Sequence, residues 1–301
     1  MVMLVKNIII DNPDKIKKIT EYVENPDFIK ATKKAFSNIS QMTEDDEMFI
    51  VSMAIGYAIK RLIPENKYKY LIIKIGTNYD DSNTLGFQYK EGKKYVTEFP
   101  LKNLHLIKSG QIDEIVKGLI TFGHELYHTR QQIDSEKENI TFDSFMYSIE
   151  QLLHDNIPDF YKREYKNLYL ETTAEAMGVI TTTEFIERYG SLQPDKKQAL
   201  CRLLLSSTKP DYKNFGDEEY LKNYIRRILK KIRDYKEFFK KDCFIKYPIL
   251  KYLIQSNGEL ETPERLQELI DNTYMMEDNS VNKKKIAITK NIKGIIYWKT
   301  K

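Results

Sequence analysis

At 301 residues with 41% apolar side chains, the chain holds enough material for a buried core in one large domain or two modest ones, without disulfide staples. Its 48 Lys and Arg against 44 Asp and Glu leave a net charge of +4 that is mostly interleaved, so no polyanionic partner is demanded. Cys201 and Cys243 form neither a C-x-x-C pair nor a metal-ligand cluster and read as reduced core thiols.

The apolar start is interrupted by Lys6 and followed by Asn12-Pro13-Asp14, with no long h-region or small-residue cleavage site. The expected location is cytoplasmic, or exported without an ordinary signal peptide. A helix follows from Ile16, Ile19, Tyr22 and Val23, which recur at three- and four-residue steps. Thr43 and Asp46 have capping-box spacing and open a helix over 44–63 that Pro64 closes. Its apolar stretch, 48–59, is too short to span a bilayer and reads as a buried helix.

The period then turns strand-like at 68–75. The segments 85–90 and 94–99 flank Glu91-Gly92-Lys93 as a hairpin, and Pro100 marks an exposed strand end. Ser109-Gly110 opens a long helix with Asp113 and Glu114 in its first turn and an apolar stripe from Ile112 to Phe122. Further helices are expected near 143–153, 168–188, 195–205, 218–240 and 263–271, the last capped by Thr262-Pro263. The tail, 281–301, carries seven lysines interleaved with Ile286, Ile288, Ile292, Ile295, Ile296, Tyr297 and Trp298, and fits packed strands better than a nucleic-acid-binding arm.

Two of the four histidines stand in His124-Glu125-Leu126-Tyr127-His128. Four residues apart on a helix, they share one face and can bind one ion, while Glu125 is offset to where a general base would meet a water. Zinc held by two imidazoles needs a third protein ligand. A metzincin would continue with Gly at 131 and His at 134. Gln131 and Asp134 stand there instead, so Asp134 is a weak alternative lacking the glycine turn that would bring it to the metal. The stronger candidate lies downstream in Glu171-Thr-Thr-Ala174-Glu175-Ala-Met-Gly178, where Glu171 and Glu175 share a helix face.

His-Glu-x-x-His followed, 43 positions after His128, by Glu-x-x-Ala-Glu resembles the gluzincin metallopeptidases, and locally the branch typified by the anthrax lethal factor catalytic domain. The likeness covers two short blocks between Gly123 and Gly178. It implies one Zn2+ per chain held by His124, His128 and Glu171, with Glu125 as general base and Glu175 as a carboxylate orienting a liganding histidine. Ala174 and Gly178 would then let the second helix approach the first. Members of this group often use a Tyr or His on the oxyanion. Tyr165 is selected for that role, with Tyr161 and Tyr169 behind it; His154 is a runner-up for this role or for the metal, and it and His105, each a lone histidine, read first as structural.

The resulting expectation is an α+β, mostly helical fold with a zincin-like core, a small antiparallel sheet packed on the His-Glu-x-x-His helix and a helical C-terminal part. Domains are expected at 1–190, catalytic, and 191–301, helical with a basic tail. The expected function is zinc-dependent hydrolysis of peptide bonds, as an endopeptidase acting on a peptide or protein substrate, with residues 94–99 as a strand edge for the substrate. A non-catalytic zincin-like binding domain is the alternative. Neither a nucleic-acid partner nor a membrane span is expected.

Overall fold

The computed structural model describes residues 8–78, 84–136, 142–165 and 168–190, together with Asn223 and Arg227. The helices expected at 195–205 and 263–271, both cysteines and the basic tail lie outside the described residues. Of the helix expected at 218–240, Asn223 and Arg227 are described, and both are helical. Two compact units divide the chain: Met1–Arg130 with Ala174–Thr208, and Gln131–Thr173 with Lys209–Lys301.

In the first unit α1 (Pro13–Tyr22) and α2 (Pro26–Ser37) each begin on an asparagine cap followed by proline: Asn12 accepts from the Asp14 amide and Asn25 from that of Asp27. This placement supplies an acceptor for an orphan N–H and uses proline where its missing donor costs nothing. The expected capping box is present at α3 (Glu44–Leu62), with Asp46 and Thr43 bonding reciprocally. Ile50, Val51, Ile55, Ala58 and Ile59 are buried on α3, as its apolar stretch requires.

Among the described residues four strands form one sheet: β1 (Ile8–Ile10), β2 (Leu71–Thr77), β3 (Phe87–Glu91) and β4 (Lys94–Pro100), in the order β1-β2-β4-β3. The sheet is mixed, not antiparallel as expected. β1 and β3 run antiparallel to their neighbours, but β2 and β4 are parallel, because the chain leaves β2, skips one position to lay down β3, and returns between them. The hairpin of β3 and β4 stands where expected, with Gly92 at φ +59° in its turn.

The strand proposed as a substrate edge, β4, is instead paired on both sides. Pro100 is buried and leads directly into α4 (Leu101–Lys108), so it is not an exposed strand end. One sheet face carries Ile73, Ile75, Tyr95, Thr97 and Phe99, all buried. It meets α5 (Ile112–Ser135), where the Thr97 and Thr129 hydroxyls are 2.9 Å apart and the rings of Phe99 and Phe122 meet edge-on at 4.8 Å. The expected packing of a small sheet on the helix bearing the motif is therefore present.

The second unit contains α6 (Phe142–Asn156), α7 (Pro158–Glu164) and the first turn of α8 (Tyr169–Tyr189) around Met146, Ile149, Leu153, Phe160 and Leu170. Among the described residues no helix is long and apolar enough to cross a membrane.

Candidate metal centre

The central turns of α5 bury Leu119, Phe122 and Leu126, which fixes the rotation of the helix and leaves His124 and His128 half-buried on another face. Their rings meet edge-on with centroids 4.6 Å apart, and the two Nε2 atoms are 3.0 Å from one another. Two nitrogens bound tetrahedrally to one ion at 2.0–2.1 Å would lie roughly 3.3 Å apart, so the observed spacing is close to that of a shared ion.

The second nitrogen of His124, Nδ1, is 3.4 Å from Oε2 of Glu175 on α8. A carboxylate there is placed to orient the ring, and Nε2 faces that of His128. One turn before Glu175 on the same helix stands Glu171. His124, His128 and Glu171 each offer one ligand atom, all within 4.8 Å of one another, and this is the only such group among the described residues. Asp134 is buried on α5 and is not one of the three.

Close helix approach at this level depends on glycine. A Cβ on Gly123 would lie 2.9 Å from Cα of Gly178, and one on Gly178 would lie 2.6 Å from the Ile120 carbonyl oxygen. Both contacts are with backbone, which cannot rotate away. The sequence reading of Ala174 and Gly178 as close-approach residues is met: Gly178 packs on Gly123, and Ala174 between the two glutamates is fully buried.

Glu125 is 8% exposed, with Oε1 4.0 Å from Nε2 of His124. Another neighbour is Gly86, immediately before β3, where a Cβ would approach Cγ of Glu125 to 2.6 Å and Cγ2 of Thr121 to 2.9 Å. Gly86 thus gives the Glu125 side chain its space. Sequence reasoning missed it, since a glycine between a loop and a strand carries no periodic signal.

Tyr165 caps the C-terminus of α7 and is 42% exposed, with its ring 5.8 Å from that of Tyr161. The Tyr161 phenol is pushed far above its ordinary range, first by burial and then by the negative charges of Glu171 and Glu150. Tyr169 contributes its backbone amide to a hydrogen bond with Glu150. His154 is exposed, with Nδ1 3.2 Å from Asp155 and its ring edge-on to Tyr161 at 4.9 Å, while His105 is exposed on α4. Neither belongs to the three-residue group. Comparison of the chain with protein-family models, with curated proteins and with solved structures finds no match.

Proposed function

We propose that this chain is a zinc-dependent metallopeptidase that hydrolyses peptide bonds, with His124, His128 and Glu171 as the zinc ligands and Glu125 as general base. The observation that carries the reading is the convergence of two imidazole nitrogens and one carboxylate oxygen within 4.8 Å, from two helices whose glycines allow close approach. The donor set suits the ion: nitrogen and oxygen ligands, three in number, leave a fourth position for water or substrate. The carboxylate of Glu175 behind His124 is the customary partner of a liganding imidazole.

When bound, zinc would acidify water and polarise a peptide carbonyl, and the protein supplies the rest. The carboxylate of Glu125 takes a proton as the water oxygen attacks the carbonyl carbon. As the carbon–nitrogen bond breaks, Glu125 passes that proton to the departing amine. Its burial keeps competing water from the carboxylate. For the developing negative charge on the carbonyl oxygen, the sequence selects Tyr165. Tyr161, whose ring lies 5.8 Å from that of Tyr165, is the rival.

The test is metal analysis after loading with zinc, combined with digestion of a mixed peptide library with and without a chelator. One zinc per chain and chelator-sensitive cleavage are expected. Zinc without cleavage of any peptide would favour a non-catalytic zincin-like binding domain, and a chain that takes up no zinc ends the metalloprotein reading.

A further inference from the structure

The first turn of α8, which carries Glu171, is held from two directions. Its leading amides have no partner within the helix, as at any helix start. Glu150 on α6, fully buried, accepts both: Oε1 from the Tyr169 N–H at 2.8 Å and Oε2 from the Leu170 N–H at 3.0 Å. A buried carboxylate is costly unless its oxygens are hydrogen-bonded, and here it also faces the positive end of a helix dipole.

From the other direction comes Gln131 on α5, three residues beyond His128 and 3% exposed. Its Nε2 donates to the Leu170 carbonyl at 3.1 Å and to Oγ1 of Thr173 at 2.8 Å. With that donor in place, the Thr173 hydroxyl passes its own hydrogen to the Tyr169 carbonyl at 2.7 Å. Tyr169, Leu170 and Thr173 surround Glu171 in the sequence, so every polar side chain in this network acts on the turn from which Glu171 projects.

We infer that Gln131, acting with Thr173, and Glu150 are positioning residues for the third metal ligand. They fix the rotation and depth of the first turn of α8 against Gln131 at the end of α5 and Glu150 on α6, and so set how the Glu171 carboxylate is presented. This inference rests on the proposed metal site and adds to it the device that holds its geometry. Gln131 is the more telling member. An uncharged amide spanning two helices leaves the charge at the site unaltered, so its removal changes placement alone. Glu150 also caps α8, and its loss would weaken folding together with metal binding.

The experiment compares wild type with Gln131→Met, Thr173→Val and Thr173→Ser, using cobalt(II) as a spectroscopic substitute for zinc and a zinc competition titration for affinity. Gln131→Met and Thr173→Val keep side-chain volume while removing the hydrogen bonds. Each is expected to weaken zinc binding about 10 to 100-fold and to alter the visible absorption of bound cobalt, with far-UV circular dichroism unchanged. Thr173→Ser, which retains the hydroxyl, should restore both. The double variant Gln131→Met/Thr173→Val should be little worse than either single one, because both interrupt the same path. Wild-type affinity and an unaltered cobalt spectrum in Gln131→Met would overturn the inference while leaving the metal site standing. A wild-type chain that takes up no cobalt would overturn both.

Discussion

In the proposed site Glu125 and Glu171 are carboxylates assigned different tasks. Glu125 is enclosed, at 8% exposure, between His124 and the backbone at Gly86, where it can exchange a proton without being a third ligand. Replacing it with glutamine keeps the shape and removes the base. Glu125→Gln is expected to lower kcat by about 10² to 10⁴-fold while zinc content stays at one per chain, measured on the same preparation. Glu171→Ala should cost more zinc affinity than Glu175→Ala, for which a loss of about 10 to 100-fold is expected in a competition titration. Equal losses would place both carboxylates in the same role. At the tyrosines, burial and two nearby carboxylates keep the Tyr161 phenol neutral well past the alkaline range in which an ordinary phenol ionises. Tyr161→Phe should therefore lower kcat without removing an alkaline limb from the pH profile. The same change at the more exposed Tyr165 should have the smaller effect.

At the scale of elements, the crossing of α5 and α8 tolerates no added atom. Gly178→Ala would set a methyl 2.6 Å from the Ile120 carbonyl oxygen, and should destabilise the fold by about 1–3 kcal/mol in a denaturant titration. Glu47, in the first turns of α3, is another buried carboxylate, and burial is the leading reason its pKa is raised. A raised folded-state value means that the fold prefers the protonated form, so Glu47 detracts from stability most once it is ionised. Glu47→Gln should raise the melting temperature at pH 7 and lose that advantage as the pH falls through the carboxylate range.

The elements differ in how plainly the sequence announced them. Thr43 with Asp46, the stripe leading into His124 and the glycine between 85–90 and 94–99 are local signals, set by neighbours a few residues away, and each lies where it was expected. The seven-residue α7, the eight-residue α4 behind a buried proline and the three-residue β1 are too short to show a period, and all were missed. α2 was missed despite its Asn25-Pro26 start. The parallel pairing of β2 with β4 could not be read, because strand order depends on partners far apart in the chain. At the candidate site, the histidine spacing was legible from the helix repeat, whereas the contributions of Gly86, Gln131 and Glu150 arise only when separate elements meet.

For the whole molecule, a metal bound as proposed would link folding to metal concentration. An ion that binds the folded chain alone adds about 2.7 kcal/mol when its free concentration is a hundred times its dissociation constant. Chelation should therefore lower the melting temperature, and added zinc should restore it. Glu171→Ala, which removes one proposed ligand, should melt at nearly the same temperature with or without the chelator.

The sheet order also constrains the sequence of folding events. β4 lies between β2 and β3, yet its contacts with β3 span only a few residues of chain, so closing that loop costs less entropy than reaching β2. The ribbon from Phe87 to Pro100 should accordingly assemble first and then dock as a preformed piece. Gly92, in its left-handed turn, would sit at the nucleus: Gly92→Ala should slow refolding in stopped-flow traces and leave the unfolding limb of the chevron nearly unmoved.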